Sequence, residues 1–229
     1  MRLHRFYINQ KIENSVLVKD GNLINQWLRV FRLKVGDRII LFCGDCFEYE
    51  TEFVSLKKDE VVLKIISKKE NLNQPKKEIV LFASLIKKDN FEWVVEKCTE
   101  LGVSKFQPII SERSEKKNLN IERLKIIARE AVEQSGRTKI PEILNLENLE
   151  DVLNKIKPEN SIAFDSFGVD FNSKNFQIKS CNLFVGPEGG FSEKEIELFK
   201  SKNIPIFSLG NFTLRAETAS VAISSLLLL

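Results

Sequence analysis

The chain has 229 residues, 43% of them apolar and 29% charged, with a formal net charge of +3. That balance describes a globular protein with a sizeable core and excludes a disordered chain, a fibre or a disulfide-stapled mini-protein. Four cysteines over this length make no disulfide framework. The longest apolar stretch, near Leu226–Leu229, is too short to span a bilayer. No basic start followed by an apolar run marks a secretion signal, so the expected location is cytoplasmic, with no membrane contact. The charge excess is local: residues 1–72 carry 13 Lys/Arg against 10 Asp/Glu, whereas residues 73–229 carry 22 of each. Such a bias fits nucleic-acid contact or a plain solvated surface.

Near the start, Leu23–Arg32 reads as a short helix with Trp27 and Phe31 facing the core. If it is helical, Arg29 and Arg32, three apart, share one side. Three strand-length runs follow, Arg38–Phe42, Glu48–Val54 and Val61–Ile66, divided by turn residues at Gly44-Asp45 and Lys57–Asp59. They suggest a small barrel or curled sheet. Cys43 and Cys46 flank the first of these turns. With Cys98 and Cys181 far off and His4 the sole histidine, no metal site is expected. The polar stretch Lys68–Lys77 lacks apolar periodicity and reads as a linker between domains at 1–72 and 73–229.

Beyond Pro75 the rhythm changes. Strand-like runs at Ile79–Ile86, Phe106–Ile110, Ser161–Asp165, Asn182–Val185 and Pro205–Leu209 mostly alternate with helical segments. One helix carries the stripe Phe91, Val94, Val95, Cys98 and Leu101, with Asp89 as its expected cap and Gly102 as its end. The next shows Leu124, Ile127, Ala128, Ala131 and Val132 on one face and stops at Gly136. This alternation predicts an α/β fold, a parallel sheet covered by helices on both faces. Its ligand crevice then lies beyond the carboxyl ends of the strands.

Two glycine loops fall at such ends. Gly186-Pro187-Glu188-Gly189-Gly190-Phe191 follows an apolar strand, and Ser192 with Glu195 makes a capping box for the next helix. Leu209-Gly210-Asn211-Phe212-Thr213-Leu214-Arg215 follows the strand after that. Together they could wall one pocket from two sides. Neither loop contains a dinucleotide fingerprint or a Walker lysine, and no acid for an NAD ribose ends the next strand.

These residues resemble a known family. Gly186-Pro187-Glu188-Gly189-Gly190-Phe191-Ser192 with Glu195, and Leu209-Gly210 with Leu214-Arg215, Glu217-Thr218-Ala219, are similar to the signature of the RsmE family. Members are ribosomal RNA uridine-N3 methyltransferases of the SPOUT superfamily. Glu92-Trp93 with Lys97–Val103, Pro108 with Ser111–Ser114, Glu130–Arg137 and Arg29 with Arg32–Asp37 extend the resemblance over nearly the whole chain. It implies a small N-terminal PUA-like β-barrel and a C-terminal SPOUT methyltransferase domain with a parallel sheet and a trefoil knot. It further implies S-adenosyl-L-methionine as cofactor, a homodimer, and 16S ribosomal RNA in the small subunit as substrate.

Carried over, Gly186, Glu188, Gly189, Leu209, Gly210, Asn211 and Leu214 belong to the cofactor pocket, as does Phe164, and the loop after Phe164-Asp165-Ser166 forms its third wall. Gly189 and Gly210 are expected to be needed because backbone approaches the ligand there. Ring nitrogen 3 of uridine is a poor nucleophile until it loses its proton, and a nearby cation stabilises the anion as it forms. Arg215 is the first candidate and Arg137 the second, although Glu133 four residues earlier also offers Arg137 a surface pair. Glu217 either relays the proton or holds Arg215. Candidate RNA contacts are Arg2, Arg5, Arg29 and Arg32, while Ser111 and Arg113 follow a strand end and face RNA or cofactor. Two rival readings remain: the same knotted fold methylating another RNA position, such as a ribose hydroxyl, or an RNA-binding assembly factor with a vestigial pocket.

Overall fold

In the computed structural model, which describes residues 3–115, 119–172 and 179–229, the chain divides into two units. The first comprises Met1–Gln74 together with Val132–Lys139; the second comprises Pro75–Ala131 and Ile140–Leu229. Strands β1 (Arg5–Tyr7), β2 (Ser15–Val18), β3 (Arg38–Phe42), β4 (Phe47–Leu56) and β5 (Val61–Glu70) form the sheet of the first unit in the order β1-β3-β4-β5-β2. Only β1 and β3 pair in parallel. Register shifts at Glu50/Thr51 and Phe53/Ser55 interrupt the two ten-residue strands, the kind of bulge that bends a long hairpin.

Apolar positions on these strands and on helix α1 (Gly21–Asn25) enclose Phe6, Trp27 and Phe53, which meet edge to face at 5.7 and 5.3 Å. Helix α1 widens at once into a π-helical turn, Gln26–Val30, and Arg32 takes a left-handed φ of 53°. Arg29 and Arg32 therefore do not share a helix face, although both are exposed. The polar stretch expected to be linker is strand as far as Glu70, because Lys68 and Lys69 pair with Tyr49 and Glu48.

Arg5, expected on the RNA face, is internal. Its guanidinium donates to the carbonyls of Val132, Glu133 and Arg137 at 3.2, 3.2 and 2.8 Å and pairs with Glu48 at 2.7 Å. It also lies 4.9 Å from the Phe42 ring centroid. A cation near the amino end is thus consumed by ordering a segment more than 120 residues away.

The second unit holds a parallel sheet in the order β12-β10-β11-β6-β7-β8. Its strands are β6 (Glu78–Ser84), β7 (Lys105–Ile110), β8 (Glu142–Ile143), β10 (Ser161–Asp170), β11 (Ser180–Val185) and β12 (Ile206–Ser208). A short β9 (Glu147–Asn148) also pairs with β7. Helices α2 (Lys88–Leu101), α3 (Ile121–Ser135), α4 (Leu149–Lys155), α5 (Glu193–Ser201) and α6 (Ala216–Leu228) complete the chain.

Alternation along the strands splits the core in two. Ile79, Leu81 and Ala83 of β6 and Leu183 and Val185 of β11 pack with the stripe of α2, with Leu124 and Ile127 of α3 and with Ile223 of α6. Phe82 and Phe184, stacked at 4.4 Å, face Leu149 and Val152 of α4 and Phe199 of α5. Helices on both faces are as expected. Asp89, however, does not cap α2. The helix begins at Lys88 after Lys87 with no side-chain cap, leaving Asp89 in the first turn, where its charge suits the helix dipole. At the other end Gly102 closes α2 in the left-handed region.

Arg5→Ala should lower the stability of the full chain by about 3 kcal/mol or more in urea unfolding, because it leaves Glu48 without its buried partner.

Candidate active site

Three neighbouring strands meet at one cavity. The middle of β10 and the carboxyl ends of β11 and β12 bring together Phe164–Ser166, Val185–Glu188 with Gly190, and Phe207–Gly210 with Phe212–Leu214. Ala216 and Ala219 of α6 close it. The space measures about 610 Å³, open solvent at the mouth included.

The first wall depends on a break in β10. Phe164 and Val169 both pair with Phe207, so Asp165–Gly168 leave the ladder and return to it. The strand expected to end at Asp165 resumes after this excursion and runs to Asp170. At the return, Gly168 presses on Phe207: a Cβ there would lie 2.3 Å from the Phe207 carbonyl carbon. The excursion leaves Phe167 90% exposed and turns Asp165 inward.

Asp165 then joins two walls. Its Oδ2 accepts from the backbone N–H of Phe191 at 3.0 Å, and its Oδ1 accepts from that of Phe167 at 3.2 Å. The second wall is the turn Pro187–Gly190, closed by the Gly190 N–H donating to the Pro187 carbonyl at 2.9 Å. Gly190 sits at φ 67°, and a Cβ on it would lie 2.9 Å from Asp165 Oδ2, so only glycine lets the turn meet the carboxylate. The capping box after it is formed as expected: Ser192 Oγ accepts from Glu195 N–H, and Glu195 Oε2 accepts from Ser192 N–H. Glu195 Oε1 accepts in addition from Glu112 N–H at 2.8 Å.

Of the residues expected around the cofactor, Phe164, Gly186, Glu188, Leu209, Gly210 and Leu214 line the cavity, whereas Gly189 and Asn211 are not among the lining residues. The Gly189 carbonyl instead accepts from Arg113 Nη1 at 2.7 Å, and an added Cβ would meet only that flexible side chain, at 3.3 Å. Gly210 lines the cavity with no protein atom near the position of an added Cβ, and its φ of 95° favours glycine there. Phe207, Phe212 and Thr213 line the cavity without having been singled out, and Asp165 and Ser166, expected only as the residues before the third wall, line it themselves.

Arg215 stands between the lining residues Leu214 and Ala216. Its exposed side chain makes no hydrogen bond or ion pair among the described residues. Glu217, in the first turn of α6, accepts from Asn90 Nδ2 of α2 at 3.2 Å instead of holding Arg215. Arg137 belongs to the first unit and is 6% exposed; burial pushes its guanidinium down to about 10. Glu133 Oε1 accepts from the Tyr7 N–H. Ser111, expected to face RNA or cofactor, is buried, with its hydroxyl bonded to those of Ser84 and Ser114 at 3.0 and 2.8 Å. Arg2 lies outside the described residues. Cys43 to Cys46 form the β3–β4 turn with free thiols, and among the described residues no cluster of His, Cys, Asp and Glu could hold a metal. No described helix is long and apolar enough to cross a membrane.

The cavity suits a ligand like S-adenosylmethionine: Phe164, Phe207, Leu209 and Leu214 offer an apolar bed, and the glycine turns expose backbone. Residues 73–228 match the family model of an RNA methyltransferase domain, and residues 28–66 that of an RNA methyltransferase PUA domain. The chain is 34% identical over 237 residues to ribosomal RNA small subunit methyltransferase E of Rickettsia conorii, covering 96% of this chain and 93% of that one. It is 32% identical to the Aquifex aeolicus protein of the same name, covering 99% of each. Among solved structures, a putative methyltransferase of Legionella pneumophila in complex with SAM superposes with a TM-score of 0.92 at 28% identity, covering 99% of this chain and 97% of that one. A ribosomal RNA small subunit methyltransferase E from Neisseria gonorrhoeae bound to S-adenosyl methionine gives 0.89 at 26%, covering 98% and 96%.

Gly168→Ala should cost about 2 kcal/mol in chemical denaturation, since the clash is with backbone. Gly189→Ala should stay within about 1 kcal/mol, since the Arg113 side chain can yield.

Proposed function

The chain belongs to the ribosomal RNA small subunit methyltransferase E family, and from that premise we propose that it methylates ring nitrogen 3 of a uridine in 16S ribosomal RNA. The observation that carries this reading is the cavity where β10 meets the ends of β11 and β12, lined by both glycine loops and adjoined by the exposed Arg215.

When bound, S-adenosylmethionine supplies a methyl group on a sulfonium, an electrophile that needs in-line approach more than activation. Gly186, Glu188, Leu209, Gly210 and Leu214, with Phe164 and Phe207, would hold it. Arg215 faces the uracil and stabilises negative charge on the ring oxygens as nitrogen 3 gives up its proton. A guanidinium without a partner among the described residues is suited to that duty, because no bond to them has to break first. Glu217, tied to Asn90, steadies the first turn of α6 and so the backbone beside Arg215. Arg137, buried and with its own carbonyl held by Arg5, serves the frame of the first unit in this reading. Arg29 and Arg32, exposed on the PUA domain, and Arg113 beside the glycine turn contact the RNA backbone. The trefoil knot, the homodimer, the small-subunit context and a cytoplasmic location belong to the same reading.

Incubating the protein with labelled S-adenosylmethionine and unmodified small ribosomal subunits should place label in 3-methyluridine. Label in another nucleoside would transfer the function to another RNA position. Arg215→Ala should lower kcat about 100-fold or more, the scale of one lost transition-state contact, with unfolding unchanged. Activity near wild type would remove Arg215 from this role.

A further inference from the structure

Among the described residues, the cavity is lined by two ionisable side chains, both acidic: Asp165 and Glu188. No Lys or Arg lines it. Glu188 is exposed, so solvent and salt screen its charge. Asp165 is 9% exposed. Its two oxygens are fixed by the Phe191 and Phe167 N–H groups and approached by Ser166 Oγ at 3.4 Å. These are neutral donors, and no cation pairs with Asp165 among the described residues. A carboxylate that is held by dipoles, unpaired by any cation and part of a pocket wall projects its charge into the pocket, where screening is weaker than in water.

We propose that Asp165 is the charge-selective element of the pocket, favouring the cationic methyl donor over the neutral product of its reaction. The inference rests on the S-adenosylmethionine reading above. In methyl transfer the sulfonium C–S bond breaks and its electron pair stays on sulfur. The methyl group joins uridine nitrogen 3, whose proton passes to solvent. The donor thereby loses one positive charge and one methyl group, and S-adenosylhomocysteine is otherwise identical. Every shape-based contact other than those of the methyl group is common to both molecules. A negative wall distinguishes them by charge, and specificity is that difference in affinity. The same carboxylate also sets the loop, so its removal weakens both ligands; the ratio of their affinities isolates the charge.

The test is the ratio of dissociation constants, S-adenosylhomocysteine over S-adenosylmethionine, measured by calorimetry on the full chain. Asp165→Asn keeps the size of the side chain and an acceptor for Phe191, and should lower this ratio about tenfold. Ser166→Lys leaves Asp165 in place but sets a cation beside it on the exposed rim, and should lower the ratio in the same sense. It serves equally if the first variant does not fold. A ratio within twofold of wild type in both variants would overturn the charge role while leaving the cofactor reading intact. Wild-type protein that binds neither molecule would overturn the cofactor reading, and this inference with it.

Discussion

The break in β10 is the constraint on which the rest of the site depends. A parallel strand that ran unbroken beside β12 would keep residues 165–168 in the ladder, and their side chains would alternate between two covered faces. Because Phe164 and Val169 both meet Phe207, four residues are released at the edge of the cavity instead. Gly168 makes the return possible by lying against the Phe207 backbone. Asp165 makes the excursion useful by reaching the Phe191 N–H on the neighbouring strand's loop. Two walls are thus one structure, and the conformation of the glycine turn depends on a carboxylate 26 residues earlier.

Around that junction the fold supplies rigidity. Phe191, directly after the turn, is buried against Phe199 at 4.9 Å, so the loop is pinned at its exit by the core under α5. Glu195 closes the capping box and also takes the N–H of Glu112, which ties the start of α5 to the loop after β7. On the other side, α6 begins within the cavity wall and packs its far end into the core shared with α2. A pocket built mostly of backbone and apolar rings needs such support, since few of its own groups hold it in shape. The exposed Arg215 stands beside this cavity, aromatic rings floor it, and the fixed carboxylate of Asp165 joins two of its walls.

In the first unit a different economy applies. The aromatic cluster of Phe6, Trp27 and Phe53 supplies the apolar core, while Arg5 crosses from β1 to the carbonyls that end α3. Its cation is compensated by Glu48 and by three carbonyl dipoles, so it contributes nothing to a phosphate-binding surface. The basic character of residues 1–72 is left to exposed side chains such as Arg29 and Arg32.

Features that depend on near neighbours were legible in the sequence. The α2 stripe from Phe91 to Cys98, the left-handed ends at Gly102 and Gly136, the Ser192–Glu195 box and the rhythm of strand and helix all follow from periodicity and capping within a few residues. So did most of the cavity lining, because strand-end loops of a parallel sheet converge wherever their strands are adjacent. What only the tertiary structure decided were pairings across long stretches of chain. They include Arg5 with the end of α3, Ser111 with Ser84, the break of β10 against Phe207, and Asp165 with Phe191. None of these leaves a periodic trace. Whether an arginine reaches solvent or a carbonyl, or an aspartate caps a helix or holds a distant loop, is settled by which elements lie beside it. That is a property of the assembled fold, not of the residues flanking it.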